Sequence, residues 1–196
     1  DLLTCSPGTT TDSDGSFIFT YSFVWSVNGG VIGETGDTLT SADFDKNDTV
    51  TCTVTPNDGT GDGAAVTSNV VTISNSTPAI SSVNITPDPA SVIDILTCAW
   101  AGWTDADGDA DSSTPTWMIN GTDAGSGVNL MGGFGGGDTV TCTVTPDDGE
   151  ETGTPVSAAV VINNTTPYIT GVTISPDPAY VGDTLICSSA GFYDAD

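Results

Sequence analysis

The residues best suited to chemistry are aspartates at alternate positions. Asp105, Asp107, Asp109 and Asp111 fall in the run Asp105-Ala106-Asp107-Gly108-Asp109-Ala110-Asp111. A hard cation needs several oxygens converging around a tight turn, and calcium is the ion such carboxylates suit. The pattern recurs in register behind three cysteines. Asp105 and Asp107 lie 7 and 9 residues past Cys98, as do Asp12 and Asp14 past Cys5, and Asp194 and Asp196 past Cys187. Calcium is therefore the expected cofactor, and the middle run, the richest in carboxylates, is its first candidate. The full EF-hand signature is absent, because no Glu follows at the twelfth position. Asp and Gly also build solvated turns through side-chain bonds to the backbone. Both readings stay open on sequence.

Asparagine offers a second kind of chemistry. N-x-S/T acceptor sites for glycans occur at Asn47, Asn75, Asn84, Asn120, Asn163 and Asn164. Asn75 and the pair Asn163 and Asn164 fall between repeated segments and are the best placed. Asn120-Gly121 reads first as a hairpin turn.

Catalysis has little to work with. The chain has no His, and Lys46 is its one basic residue against 26 acidic ones. A hydrolase triad, a phosphoryl-transfer site or a Schiff base lacks its parts. Carboxylate-pair glycosidase chemistry needs only acids, but these acids sit in repeated loops, so no enzyme is expected. A net charge of -25 argues against nucleic acid and anionic membranes as partners. No apolar run is long enough to span a bilayer, so direct membrane insertion of this segment is not expected. Five cysteines with no C-x-x-C pair point away from zinc and toward an oxidising, extracellular or cell-surface setting.

The elements that must hold these residues repeat. Residues 48–59 read DTVTCTVTPNDG and residues 138–149 read DTVTCTVTPDDG, 90 positions apart. Residues 75–90 and 164–179 repeat at an offset of 89. Acidic chains with few aromatics can be disordered, but here 37% of residues are hydrophobic and they are patterned. In the middle copy, strands are expected at residues 80–86, 92–100, 114–120, 127–131, 138–145 and 154–162. Val140, Cys142 and Val144 share one face of their strand and the threonines the other. The glycine-rich stretch 132–137 reads as a flexible loop. No segment has helical period with caps. About seven strands in about 90 residues make a sandwich.

Cys98, Trp117 and Cys142, and again Cys5, Trp25 and Cys52, follow the Cys–Trp–Cys order of an immunoglobulin-like domain. With the motifs V-x-I-x-P-D-P-A, D-A-D-G-D and D-T-V-T-C-T-V-T-P, the chain resembles tandem immunoglobulin-like repeats of large bacterial or archaeal surface proteins. Val50 and Val140 stand where antibody-type domains carry a tyrosine corner. The resemblance implies an all-β fold of immunoglobulin-like β-sandwich domains in a linear rod. It implies disulfides Cys5–Cys52 and Cys98–Cys142, each closing a loop of about 45 residues and adding ~3–4 kcal/mol. Cys187 is left unpaired in this chain. Three domains are expected: 1–76 lacking a first strand, 77–165 complete, and 166–196 as the first two strands of a third. Residues 1–14 align without a gap on 183–196, so the parent polypeptide is expected to continue in both directions. Donation of residues 168–176 to a next copy is the lesser alternative. The implied function is structural: a module of an extracellular filament, stalk or adhesin whose partners are neighbouring copies of the same repeats. The alternative is a glycan- or protein-binding module, or part of a phage fibre, with a ligand elsewhere in the parent chain.

Overall fold

The structure, a computed structural model, describes residues 2–13, 15 and 18–196. Among these, all regular structure is β-strand, and the chain divides into two compact units, Asp1–Ser76 and Thr77–Asp196.

Unit 1 contains β1 (Leu2–Thr4), β2 (Thr20–Val27), β3 (Gly30–Val31), β4 (Thr38–Thr40), β5 (Thr49–Asn57), β6 (Val66–Thr67) and β7 (Val71–Thr72). One sheet is β1 with β4. The other is β3-β2-β5, with β6 and β7 both pairing along β5.

Unit 2 begins with β8 (Ser82–Thr86), β9 (Ala90–Ser91), β10 (Ile95–Ala101) and β11 (Thr114–Ile119). It continues with β12 (Thr122–Ser126), β13 (Asn129–Met131), β14 (Thr139–Thr145) and β15 (Val156–Asn163). The sheets are β13-β10-β8 and β12-β11-β14-β15-β9. Between β8 and β9 the chain crosses from one sheet to the other. Pro87 and Pro89 lack the N–H that a ladder needs, so pairing breaks there. β9 then resumes parallel to β15, with Ala90 opposite Ile162. Two facing sheets with this strand order are an immunoglobulin-like sandwich. Unit 1 repeats the order without a counterpart of β8 or β9 among its described residues, so the chain is a tandem of immunoglobulin-like β-sandwich domains.

Each core forms where the alternation demands. Along β14, Val140, Cys142 and Val144 are fully buried while the threonines between them are not. Cys142 is bonded to Cys98 and Cys52 to Cys5, joining the two sheets of each unit. Trp117 lies directly opposite Cys142 across the ladder, and Trp25 opposite Cys52. A buried indole needs an acceptor. The Trp117 N–H donates to the Gly127 carbonyl at 2.8 Å, and that of Trp25 to Gly36 at 2.9 Å.

Several details differ from the sequence expectation. The strand expected at 127–131 starts at Asn129 because Gly127 is otherwise engaged. Its N–H donates to Pro115, its carbonyl receives Trp117, and its φ is +117°. The glycine stretch 132–137 is not merely flexible, since Phe134 is 8% exposed and belongs to the core, as does Phe44, 90 positions earlier. The short strands β9 and β12 were not anticipated.

The last part of unit 2 is a hairpin of β16 (Tyr168–Ser175) and β17 (Ile186–Tyr193). It repeats the β8–β10 pairing. Ile174 faces Cys187 as Ile85 faces Cys98, and the rings of Tyr168 and Tyr193 stack at 5.3 Å. Its apolar side chains are exposed.

Candidate functional site

The acidic loop of unit 2 leaves β10 and returns into β11. Its first anchor is the isolated pair of Ala79 and Thr104, which exchange two backbone hydrogen bonds. Its last is at the loop between β14 and β15, where Ser112 N–H donates to the Asp147 carbonyl at 2.8 Å. The Ser113 hydroxyl completes this second tie by accepting from Asp147 N–H at 3.2 Å. The loop between those anchors is wound around one carboxylate. Asp105 Oδ1 accepts from the backbone N–H of Asp107 at 2.9 Å and of Asp109 at 3.1 Å. Gly108 supplies the turn, with φ +80°. The Trp103 indole donates to the Asp109 carbonyl at 3.3 Å.

This winding brings the carboxylates of Asp105, Asp107 and Asp109 together, with ligand oxygens all within 4.8 Å of one another. Asp105 Oδ2 is fully buried and has no hydrogen-bond partner. A buried, unsatisfied oxygen facing two more carboxylates is costly by itself and is what a bound cation would satisfy. The three residues therefore fit a metal ion.

Asp111 is not part of the group. Its Oδ2 accepts from the Trp100 indole at 2.7 Å and its Oδ1 from Ser113 N–H at 2.9 Å. Burial opposes ionisation of Asp111, but the bonds from Ser113 and Trp100 outweigh it and hold the carboxyl below its usual range. Trp100 and Trp103 are thus tied into the loop.

The two other acidic loops are poorer. Asp194 and Asp196 form the same first turn, Asp196 N–H donating to Asp194 Oδ1 at 3.2 Å. Asp196 Oδ2 then accepts from Thr165 N–H at 2.7 Å. Asp12 is partly buried beside Asp58 and Asp62, and Asp14 lies outside the described residues. Among the described residues, the Asp105 loop alone gathers three potential ligands.

A second arrangement, which the sequence reading missed, occurs in both units. Asn120 Nδ2 donates to Asp138 Oδ1 at 2.7 Å, and Asn120 Oδ1 accepts from Thr139 N–H at 3.0 Å. Asn28 does the same with Asp48 at 2.6 Å and Thr49 at 3.0 Å. The backbone N–H of Gly135, then Asn120, holds Asp138 below its usual pKa; that of Asp45, then Asn28, does so for Asp48. Both asparagines have positive φ, which Asn tolerates in turns. The signal was the matching N-G pair 92 residues apart.

Of the glycan acceptors, Asn120 therefore spends its amide on Asp138. Asn47, Asn84, Asn163 and Asn164 are exposed and Asn75 is half-buried. The amides of Asn75 and Asn164 donate to the carbonyls of Ser76 and Thr165 at 3.1 and 2.6 Å. Cys187 is a free, exposed thiol.

No protein-family model matches the sequence, and no curated protein sequence matches it. Among solved structures, a two-domain fibronectin type-III segment of chicken tenascin aligns at 11% identity, covering 82% of this chain and 97% of that one, with TM-score 0.45. The amphioxus IgVJ-C2 molecule aligns at 18% identity, covering 83% and 95%, with TM-score 0.40. The fold assignment stands on the strand order and register described above.

Proposed function

We propose that this chain is a non-enzymatic structural module of an extracellular filament or cell-surface stalk built from tandem immunoglobulin-like repeats. The observation that carries this reading is the recurrence of one stapled architecture. Cys5–Cys52 and Cys98–Cys142 join the sheets of successive units at the same positions, and β16–β17 begins the pattern again. Disulfide-bonded sandwiches of this kind suit an oxidising, extracellular setting. The acidic residues are spent on turns, Asx bonds and the carboxylate group of Asp105, Asp107 and Asp109, which supports architecture over catalysis.

Calcium is the ion proposed for that carboxylate group, since three carboxylates make a hard-oxygen set. Bound there, it would fix the loop that Thr104 ties to Ala79 and so stiffen the end of the sandwich where the repeat begins. The exposed acceptors Asn47, Asn84, Asn163 and Asn164 are the proposed glycan sites.

Negatively stained images of material from the native source test this reading. Long filaments or stalks with a regular axial repeat are expected. Dispersed globular particles would contradict it.

A further inference from the structure

Of the ten asparagines in the sequence, only Asn28 and Asn120 precede a glycine. That pair is chemically fragile. Glycine has no side chain to hinder its backbone nitrogen, which can attack the side-chain amide before it. Both pairs form tight hairpin turns. Asn28 and Gly29 have φ of 51° and 78°, and Asn120 and Gly121 of 50° and 80°. Positive φ at both central residues is what selects Asn-Gly for such a turn. Packing does not shield either turn. All four residues are exposed, and a Cβ on either glycine would meet nothing within 4 Å.

The amide of each asparagine is instead held at both ends by the strand that pairs with its own. Asn120 N–H donates to the Thr139 carbonyl at 2.9 Å, and Asn120 Oδ1 accepts from Thr139 N–H. Asn120 Nδ2 donates to Asp138 Oδ1, and Asp138 is itself fixed, because its Oδ2 accepts from Gly135 N–H at 2.7 Å. Unit 1 repeats each contact. Asn28 N–H donates to the Thr49 carbonyl at 2.8 Å, and Asp48 Oδ2 accepts from Asp45 N–H at 2.8 Å. The Thr49 hydroxyl adds a further bond to Asn28 Oδ1 at 3.3 Å. Backbone and amide donors hold both carboxyls below their usual range. Both are therefore anionic acceptors in neutral solution, the stronger kind.

We propose that Asp48 and Asp138 are positioning residues that protect the Asn28-Gly29 and Asn120-Gly121 turns from deamidation. In that reaction the Gly121 backbone nitrogen gives up its proton and bonds to Asn120 Cγ. The Cγ–Nδ2 bond breaks, and the amide nitrogen takes that proton and leaves as ammonia. Water then opens the cyclic imide at either carbonyl, leaving aspartate or isoaspartate. Closing the ring turns the amide toward the glycine nitrogen, so the bonds to Asp138 and Thr139 must be given up first. The bracket also disfavours the product. A carboxylate at position 120 would face the Asp138 carboxylate in place of an amide that now lies 2.7 Å from it. The same holds for position 28 and Asp48.

Peptide mapping by mass spectrometry tests this on the full chain, made in a host that adds no glycans and held in mildly alkaline buffer. A synthetic peptide of residues 117–124 gives the unprotected rate. Conversion of Asn120 and Asn28 in the wild-type chain is expected to be slower than in the peptide by about tenfold or more. Asp138→Ala should speed conversion of Asn120 by about tenfold, the worth of one charge-assisted bond, and leave Asn28 unchanged. Asp48→Ala should do the reverse, so that each unit serves as the other's reference. Asp138→Asn keeps an acceptor oxygen and should restore part of the protection. If Asp138→Ala does not fold, Asp138→Asn and Asp48→Ala carry the test. Trp117→Phe weakens unit 2 without touching the bracket and should leave Asn120 at its wild-type rate. Wild-type conversion at the peptide's rate would overturn the proposal, as would alanine variants that convert no faster than wild type. Trp117→Phe that speeds Asn120 as much as Asp138→Ala does would overturn it too, because general opening of the unit would then set the rate.

Discussion

Trp117 lies against Cys142 across the ladder, and its N–H reaches the Gly127 carbonyl. Trp117→Ala removes a fully buried ring and should cost unit 2 about 3–5 kcal/mol in urea unfolding. Trp117→Phe keeps most of the packing but strands the Gly127 carbonyl, and should cost less, about 1–3 kcal/mol. Equal losses for the two variants would show that packing has little part in the effect. At Asp58, three donors converge. The backbone N–H groups of Thr60 and Gly61 and the Thr60 hydroxyl lie 2.7, 2.9 and 2.8 Å from Oδ1. The Thr60 bonds lead in lowering this carboxyl from 3.8 to about 2. A pKa lowered by folding contributes stability that is present above the unfolded value and lost as pH falls through the folded one. An NMR titration of Asp58 should therefore show a midpoint near 2, with the contribution fading between about pH 4 and 2; a midpoint near the ordinary value would contradict these bonds. For the carboxylate group, calcium at 100 times its Kd should raise the apparent stability of unit 2 by about 2.7 kcal/mol. Asp105→Asn should abolish that rise in a thermal melt. A rise that survives the substitution would place calcium elsewhere.

Protection of the strands should follow their layers. β10, β11 and β14 bury a common core, whereas β16 and β17 have apolar side chains open to water. Amide exchange in β14 should be the slowest in the molecule, and that in β17 faster by orders of magnitude. Comparable protection in both would mean that the hairpin is covered in solution. The well-patterned strands were legible in the sequence. β14 alternates Val, Cys and Val against Thr, and its threonines tolerate the half-exposed face. β12 was not, because its sequence, TDAGS, offers no apolar alternation, and its place is set by the Asn120-Gly121 turn. β9 escaped notice because two residues after a proline pair show no period, and its pairing with β15 is parallel and distant in sequence. Phe134 was hidden by its five neighbouring glycines, and only its equivalence to Phe44 could have identified it as core. In the candidate site, the alternate spacing pointed to Asp105, Asp107 and Asp109, and the loop brings their carboxylates within 4.8 Å of one another. The turning away of Asp111 depends on Trp100, a neighbour that spacing along the loop does not reveal.

At the scale of the molecule, the proposed role is mechanical. Tension applied to an immunoglobulin-like unit must first break the ladders, and the chain between the bonded cysteines stays short until the bond is reduced. Cys5–Cys52 locks a sequence separation of 47 and Cys98–Cys142 one of 44. At about 3.3–3.6 Å per extended residue, each locked loop withholds about 15 nm of contour length. The most direct test is to pull single full-length chains by force spectroscopy, with and without reductant. Discrete unfolding steps are expected for the two units, each lengthening by about 15 nm when the disulfides are reduced. Steps of unchanged length under reduction, or extension without discrete steps, would contradict a chain of stapled load-bearing units.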